Sequence, residues 1–271
     1  MIALHKVVKY CAMAFAVFLA VSMIGGLLSI LGVFTGLLED DAVATDLRTY
    51  AVSSDIRVLE VNINAADFKV KQGEEFLVES NLKHLTVEEK DGVLSLEETK
   101  KFGGAYRGAS LTLYIPADIT FEKIIVRTGA GKLTVERLSS GTVELDLGAG
   151  EVIIESLIAT SCATIDGGAG KITVVGGELH NLAVDMGVGQ FHLTSALTGD
   201  CSFDLGVGES NVTVIGDREN YKLRIEKGIG GITVDGESVP DLKEQGSKEN
   251  SIEISGGIGA VNLNFEGARA D

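Results

Sequence analysis

The sequence repeats a short unit, glycine, a small or aliphatic residue, and glycine again, seven times. The first glycines of successive units are 19, 20, 19, 19, 22 and 29 residues apart. The units are Gly129-Ala130-Gly131, Gly148-Ala149-Gly150, Gly168-Ala169-Gly170, Gly187-Val188-Gly189, Gly206-Val207-Gly208, Gly228-Ile229-Gly230 and Gly257-Ile258-Gly259. A period near 20 residues is typical of solenoids, in which each repeat stacks on its neighbour. The two longer spacings mark insertions.

Apolar and polar residues alternate on both sides of each triplet. In the second unit, Val143 and Leu145 precede the glycines, and Val152 and Ile154 follow them at the next apolar positions. Alternation with period two indicates β-strands with one buried face. Equivalent positions carry similar side chains, which favours stacked parallel coils over a meander of hairpins. We therefore expect an all-β fold, a parallel β-solenoid (β-helix) of about 19–20-residue coils.

The triplets are predicted to form the corners between the two strands of each coil. Glycine allows positive φ and a close approach between neighbouring coils. We expect the middle residue to face the core, which would widen toward the C-terminus. The middle residues are Ala130, Ala149, Ala169, Val188, Val207, Ile229 and Ile258.

Before the regular array, three segments read as terminal units. Residues 61–70 fit the frame of a coil, with Asn64 and Ala66 in the glycine positions. Residues 85–97 read as a hairpin around Asp91-Gly92, and residues 110–116 as a strand that enters the array. Atypical units at an end are expected of a capped solenoid.

The first 38 residues differ from the rest. An uncharged run covers residues 10–38, preceded by Lys6 and Lys9 and followed by Glu39, Asp40 and Asp41. The run is long enough to span a bilayer and too long for the apolar part of a signal peptide. The positive charges place the N-terminus in the cytoplasm and the C-terminal part outside. Ala42-Val43-Ala44 resembles a signal-peptidase site, so cleavage stays an alternative.

These features predict five regions: a cytoplasmic N-terminus (1–9), a transmembrane helix (10–38), a linker (39–50), the solenoid (51–266) and a C-terminal tail (267–271). The whole chain carries a net charge of −16, and the part after residue 38 carries −18 because Lys6 and Lys9 lie before it. Such an acidic domain is repelled by nucleic acid, which excludes nucleic-acid binding as the main role.

A resemblance covers about residues 50–266. The segments SLTLYIPADITFEKIIVRTGAGKLTV and ELDLGAGEVIIES, together with the N-terminal apolar run, resemble the bacterial putative-adhesin family of unknown function, whose members include LiaG-like envelope proteins. The resemblance implies a β-helical extracytoplasmic domain at the cell surface, and it supplies no catalytic residues.

One row of acidic side chains is a candidate metal site. Two positions before the first glycine stand Asp146, Asp166, Asp185, Asp204 and Glu226. They are predicted to point outward, about 4.8 Å apart along one edge. Carboxylate oxygens suit Ca²⁺, so the row is either a hydrated acidic face or a series of weak Ca²⁺ sites. No other cofactor is expected.

A second outward row alternates in charge and is expected to set the register between coils. It reads Lys132, Glu151, Lys171, Gln190 and Glu209. Cys162 and Cys201 fall in coils two apart, about 9.6 Å along the axis, which is too far for a disulfide.

The segments that resemble catalytic motifs lack the structural context that catalysis requires. Thr128-Gly129-Ala130-Gly131-Lys132 is followed by a strand, so there is no helix N-terminus to hold a phosphate. His84, His180 and His192 are scattered and form no metal or triad motif. We expect the protein not to be an enzyme.

Two loops interrupt the pattern and are candidates for partner contact. The loop 99–109 is basic and aromatic within an acidic domain, and residues 236–250 form the longest insertion. The partner-contact candidates in the first loop are Lys100, Lys101, Phe102, Tyr106 and Arg107. Loops on a rigid scaffold are frequent binding sites.

The expected function is therefore that of a non-enzymatic, single-pass surface protein, whose solenoid serves adhesion or an envelope-stress module. Its partner would be a protein or a glycan at the cell surface. The alternative is an extracytoplasmic, lyase-like enzyme acting on polysaccharide, which would need Asp and Lys or Arg together in one groove.

Overall fold

The computed structural model describes residues 43–53, 55–99, 108–244 and 248–267. Within these ranges, fifteen strands form one continuous sheet, interrupted by a 3₁₀ turn at Arg218–Asn220. The strands are β1 (Val43–Ala51), β2 (Val58–Gly73), β3 (Leu77–Leu82), β4 (Leu85–Lys90), β5 (Val93–Glu98), β6 (Ser110–Pro116), β7 (Phe121–Val174), β8 (Gly177–His180), β9 (Leu182–Thr198), β10 (Asp200–Ile215), β11 (Tyr221–Glu226), β12 (Ile229–Val234), β13 (Glu237–Ser238), β14 (Leu242–Lys243) and β15 (Asn250–Glu266).

The N-terminal predictions fall mainly outside these ranges. The predicted cytoplasmic segment (1–9) and the predicted transmembrane helix (10–38) lie outside the described residues. The described ranges hold no helix that is long and apolar enough to cross a membrane. The interval predicted as a linker (39–50) contains most of β1, which pairs antiparallel with β3. Of the predicted tail, only Gly267 is described.

The prediction of parallel coils with stacked triplets is confirmed. β9 and β10 pair in parallel so that Val188 lies beside Val207 and Gly189 beside Gly208. β7 and β9 pair in the same way, with Ala169 beside Val188. Each coil therefore repeats the frame of its neighbour, and one long strand, β7, carries three successive corners.

The order of the last two coils in space differs from their order in the chain. β10 pairs with β15 (Val207 beside Ile258), and β15 in turn pairs with β12 (Ile258 beside Ile229). The last coil of the chain is thus inserted between two earlier ones. The long 22- and 29-residue spacings make this possible, because the chain goes out to β11–β14 and then returns. Parallel strands with the same pattern accept either order.

At the opposite end of the stack, the order of the strands in space also differs from their order in the chain. β2 pairs with β7 on one side, with Ala65 beside Ala130, and with β5 and β6 on the other. The coil predicted at residues 61–70 is therefore present but is not the outermost one. The predicted hairpin around Asp91-Gly92 and the predicted strand 110–116 are also confirmed. Nine layers of parallel strands result, from β5–β6 to β11–β12, and β3, β4 and β1 extend the sheet beyond β5–β6 by antiparallel pairing.

The core is an aliphatic stack built from the alternating positions. Leu145, Ile165, Val184 and Phe203 follow one another along the axis, and each is almost fully buried. Phe191 and Phe203 pack with their ring centroids 6.4 Å apart. Phe191 lies on the second strand of its coil and Phe203 on the first strand of the next, so burial of apolar surface holds the two strand columns together.

The prediction that the middle residues of the triplets face the core is wrong. Val188 is 56% exposed and Ile229 is 49% exposed. The second glycine of each triplet has positive φ, for example +148° at Gly189, which turns the chain so that the middle residue projects outward. The core at the corner is filled by the residue just before the triplet, such as Met186.

Both described cysteines are free. Cys201 is buried, five positions before the first glycine of its triplet. Cys162 is half-buried and lies six positions before the first glycine of its own triplet, so the two cysteines occupy different positions of the repeat. A complete coil separates them, since Ala163 lies beside Leu182 and Ser202 lies beside Ala183. Burial raises the pKa of the Cys201 thiol, and the carboxylate of Asp200 adds to this.

Candidate functional site

The predicted acidic row exists, but it is interrupted. Asp166, Asp185 and Asp204 lie side by side in register on successive coils. Glu226 is separated from Asp204 by Ser255, because β15 lies between their coils. The expectation of five neighbouring carboxylates is therefore wrong at its C-terminal end.

The pKa of Asp166, the second member of the acidic row, is raised. Partial burial raises the pKa of the Asp166 carboxyl, and repulsion by Asp185 and Asp146 raises it further. Among the residues that the structure describes, no three His, Cys, Asp or Glu side chains converge as a metal ion requires.

The second predicted row holds one close ion pair. Lys132 Nζ lies 2.9 Å from Glu151 Oε2, and both side chains are nearly half exposed. The hydrogen bond and charge of Lys132 lower the pKa of Glu151. An exposed pair of this kind contributes about 0–1 kcal/mol, consistent with a role in register.

A third row of polar side chains, which was not predicted from the sequence, follows the second strand of the coils. It comprises Thr173, His192, Asn211, Asn262 and Thr233, five positions after each first glycine. We call these five residues the polar ladder. All of them are half-buried on the outer surface of the sheet.

Hydrogen bonds connect four members of the polar ladder. Asn262 Nδ2 donates to Asn211 Oδ1 at 2.8 Å, and Thr233 Oγ1 donates to Asn262 Oδ1 at 2.8 Å. Asn211 Nδ2 lies 3.2 Å from His192 Nδ1 and 3.0 Å from Glu209 Oε1. The side chains are thereby held in one orientation, while each amide keeps further hydrogen-bonding capacity. The recurrence of Asn, Thr and His at one position of the repeat is the signal that could have revealed the row.

A fourth row is formed by the exposed middle residues of the corners. In space it runs Val188, Val207, Ile258 and Ile229, with exposures of 56%, 41%, 38% and 49%. We call these four residues the corner ridge. Toward the other end of the stack, alanines occupy the same positions. The ridge is consequently most apolar in the C-terminal layers.

The two predicted loops have different outcomes. Lys100, Lys101, Phe102, Tyr106 and Arg107 lie outside the described residues. The insertion 236–250 contributes β13 and β14, which pair antiparallel with β12 and β11 and cover part of the coil that β11 and β12 form. Arg218 forms an ion pair with Glu244 there, and Lys248 Nζ donates to the carbonyl of Tyr221 at 2.8 Å.

Residues 78–264 match the family model described as Toastrack DUF4097. The chain therefore belongs to the Toastrack family. This agrees with the resemblance to a putative-adhesin family of unknown function.

Solved structures with a similar chain path share little sequence. A putative adhesin from Bacteroides fragilis is 14% identical, with 83% of this chain and 100% of that chain covered and a TM-score of 0.41. A putative adhesin from Parabacteroides distasonis is 14% identical, with 82% and 96% covered and a TM-score of 0.43. A putative lipid binding protein from the same organism is 14% identical, with 82% and 98% covered and a TM-score of 0.35. No curated protein matches the chain.

Proposed function

We propose that this protein displays its Toastrack solenoid at the outer surface of a cell membrane and acts there by binding, in adhesion or in an envelope-stress module. The apolar run 10–38 would anchor it, with the N-terminus in the cytoplasm. The observation that carries the binding role is the polar ladder, a straight row of amides, hydroxyls and an imidazole held by mutual hydrogen bonds. A rigid row of this kind loses little conformational entropy on binding.

The chemistry of the polar ladder favours a glycan as the partner. Asparagine and threonine side chains both donate and accept hydrogen bonds, as sugar hydroxyls do. The ladder repeats at the strand spacing of about 4.8 Å, so an extended polymer could make the same contact on successive coils. Thr194 and Thr213 stand beside the ladder two positions further along the same strands, and they extend the neutral polar surface.

Binding is tested with the full chain in detergent micelles, mixed with isolated cell envelope and with polysaccharide purified from it. We expect Asn211→Ala with Asn262→Ala to reduce retention of glycan at least tenfold. The matched control is Thr142→Ala with Ser202→Ala, two outward polar residues on the first strands of coils in the same stack. Equal loss in both double variants, or glycan retention unchanged in the first, would refute the glycan role. Adding Ca²⁺ tests the acidic row in the same assay.

The membrane topology is tested separately. A protease added to intact cells should degrade the solenoid and leave a fragment of the N-terminal segment in the membrane. If the chain is instead cleaved after Ala44, the mature protein begins at residue 45 and is recovered without the anchor. Protection of the solenoid in intact cells would contradict the proposed orientation.

One observation favours the alternative, a lyase-like enzyme. A shallow depression on the outer surface of the first strands of the coils is lined by Arg127, Glu144, Asp146, Thr164 and Asp166, which places a basic residue beside three carboxylates. Acidic polysaccharide incubated with the protein and Ca²⁺ would then release unsaturated uronate products. We expect no such release, and release abolished by Arg127→Ala would establish the enzyme.

A further inference from the structure

The connection between β5 and β6 begins and ends over the corner of β2. β5 pairs with the first half of β2 (Leu96 beside Val61), and β6 pairs with the second half (Ser110 beside Asp67). The corner residues of β2, 64–66, lie between these two pairings. Residues 99–109 therefore begin and end over the corner column, at the first layer. The Glu98 carboxylate accepts the Asn64 N–H at 2.8 Å and holds the start of the loop there.

The corner ridge lies on the same column at the other end of the stack. Its apolar row is flanked by carboxylates on both sides: Asp185 and Asp204 stand three residues before the ridge residues of their coils, and Glu209 stands two residues after Val207. All three of these residues are exposed. The surface thus presents an aliphatic strip between negative charges.

The loop has the complementary composition. Residues 100–107, KKFGGAYR, combine Lys100, Lys101 and Arg107 with two aromatic rings, in a region whose net charge is −18. Aromatic rings bury large apolar areas on aliphatic surfaces, and the three cations match the three carboxylates. We propose that residues 100–107 of one copy of this chain dock on the corner ridge of a second copy.

The loop cannot reach the ridge of its own chain. Val188 lies five layers from the β5–β6 layer, which is about 24 Å at 4.8 Å per layer. Eight residues that leave and return to neighbouring anchor points extend at most about 14 Å, since one extended residue spans about 3.4 Å and only half of them lead outward. The contact is therefore made between copies. Each copy has one loop at one end and one ridge at the other, so two antiparallel copies related by a two-fold axis make both contacts at once.

The first test measures the oligomeric state of the full chain in detergent micelles by analytical ultracentrifugation. The wild type should be a dimer at micromolar concentration. Lys100→Glu with Lys101→Glu and Arg107→Glu should weaken the dimer at least tenfold, and so should Asp185→Lys with Asp204→Lys and Glu209→Lys. The chain with all six substitutions should regain wild-type affinity within about threefold, because the charges again match.

Two controls separate this contact from general charge effects and from misfolding. Lys83→Glu with Lys90→Glu changes two exposed cations at the same end of the stack, one in the β3–β4 turn and one at the end of β4, and should leave the dimer unchanged. Far-UV circular dichroism and the urea midpoint should be alike for all variants. A monomeric wild type would overturn the proposal. So would a chain with all six substitutions that dimerises no more tightly than the triple variants.

The second test identifies the occupant in living cells. A photo-crosslinking amino acid at position 102 should give a homodimer whose linked peptide lies within residues 182–234 or 250–266. Crosslinks to a lipid, to a different protein or within the same chain would overturn the proposal. Because dimer formation needs no glycan, failure here is distinguishable from failure of the binding role.

Discussion

Close packing of the coils at the corners can be tested at Gly189. This residue has φ of +148°, and a Cβ added to it would lie well under 3.0 Å from the carbonyl oxygen of Gly170. Gly231 offers a matched control, since it lies in the strand β12, has no atom within 4 Å of an added Cβ and does not have a positive φ. Gly189→Ala and Gly231→Ala thus make the same chemical change in opposite environments.

The expected cost of Gly189→Ala combines two effects. An alanine at this backbone conformation is strained by about 1–3 kcal/mol. The neighbouring coil must also move away, which weakens one or two ladder hydrogen bonds at about 1 kcal/mol each. Reduced entropy of the unfolded chain returns about 0.4–1 kcal/mol. The net destabilisation is therefore about 3 kcal/mol, whereas Gly231→Ala should be neutral or stabilise by up to about 1 kcal/mol.

Urea unfolding of the full chain in detergent, followed by far-UV circular dichroism, measures both variants. With a slope of about 1–3 kcal/mol per molar urea, the midpoint of Gly189→Ala should fall by at least about 1 M. If the free energy of unfolding of Gly189→Ala stays within about 0.5 kcal/mol of the wild-type value, which is about one sixth of the expected loss, the corners do not require close approach and the argument for glycine fails.

Three further predictions concern charge, chain order and the first corner. The folded-state pKa of Asp166 is raised by burial and by the carboxylates of Asp185 and Asp146, so the charged form of Asp166 destabilises the fold at neutral pH. Asp166→Asn should therefore stabilise the fold by about 0.5 kcal/mol at pH 7. In urea titrations this gain should decrease as the pH falls through the raised pKa, and it should vanish below the ordinary pKa of aspartate. Ending the chain after Glu249 removes β15 and its four buried aliphatic residues, and the free energy of unfolding should fall by about 5 kcal/mol or more. Hydrogen exchange in β10 and β11 should become rapid, because both strands lose their partner. In the control, ending the chain after Gly267 should change the free energy of unfolding by less than about 0.5 kcal/mol. Glu98→Ala should cost about 2 kcal/mol by urea unfolding and Glu98→Gln clearly less, because glutamine keeps an acceptor oxygen; equal losses would contradict the bond to the first corner.

Much of the fold was predictable because the relevant signals are local. Alternation of apolar and polar residues around Gly148 depends only on the two faces of a strand, and the hairpin at Asp91-Gly92 depends only on two residues that adopt positive φ. The acidic row was predictable for the same reason, since a residue between two inward positions must point outward. Asp166 and Asp185 are accordingly neighbours.

The candidate sites were less predictable because they depend on neighbours distant in the chain. The polar ladder joins Asn211 to Asn262, which are 51 residues apart and come together only through the insertion of β15. The same insertion places Ser255 between Asp204 and Glu226 and so shortens the acidic row. No property of a single repeat encodes such a pairing.

The sequence by itself determined that this chain is a stack of parallel coils with glycine corners, because the repeat imposes the same alternation and the same turn on every unit. The tertiary structure decided the order of the stack and the direction of the corner residues. Coils of equal pattern pair equally well with several neighbours, so the lengths of the connections and the hairpin strands at the end select the partner. At the corner, the positive φ that close stacking imposes on the second glycine turns Val188 and Ile229 outward, which converts expected core residues into an exposed surface.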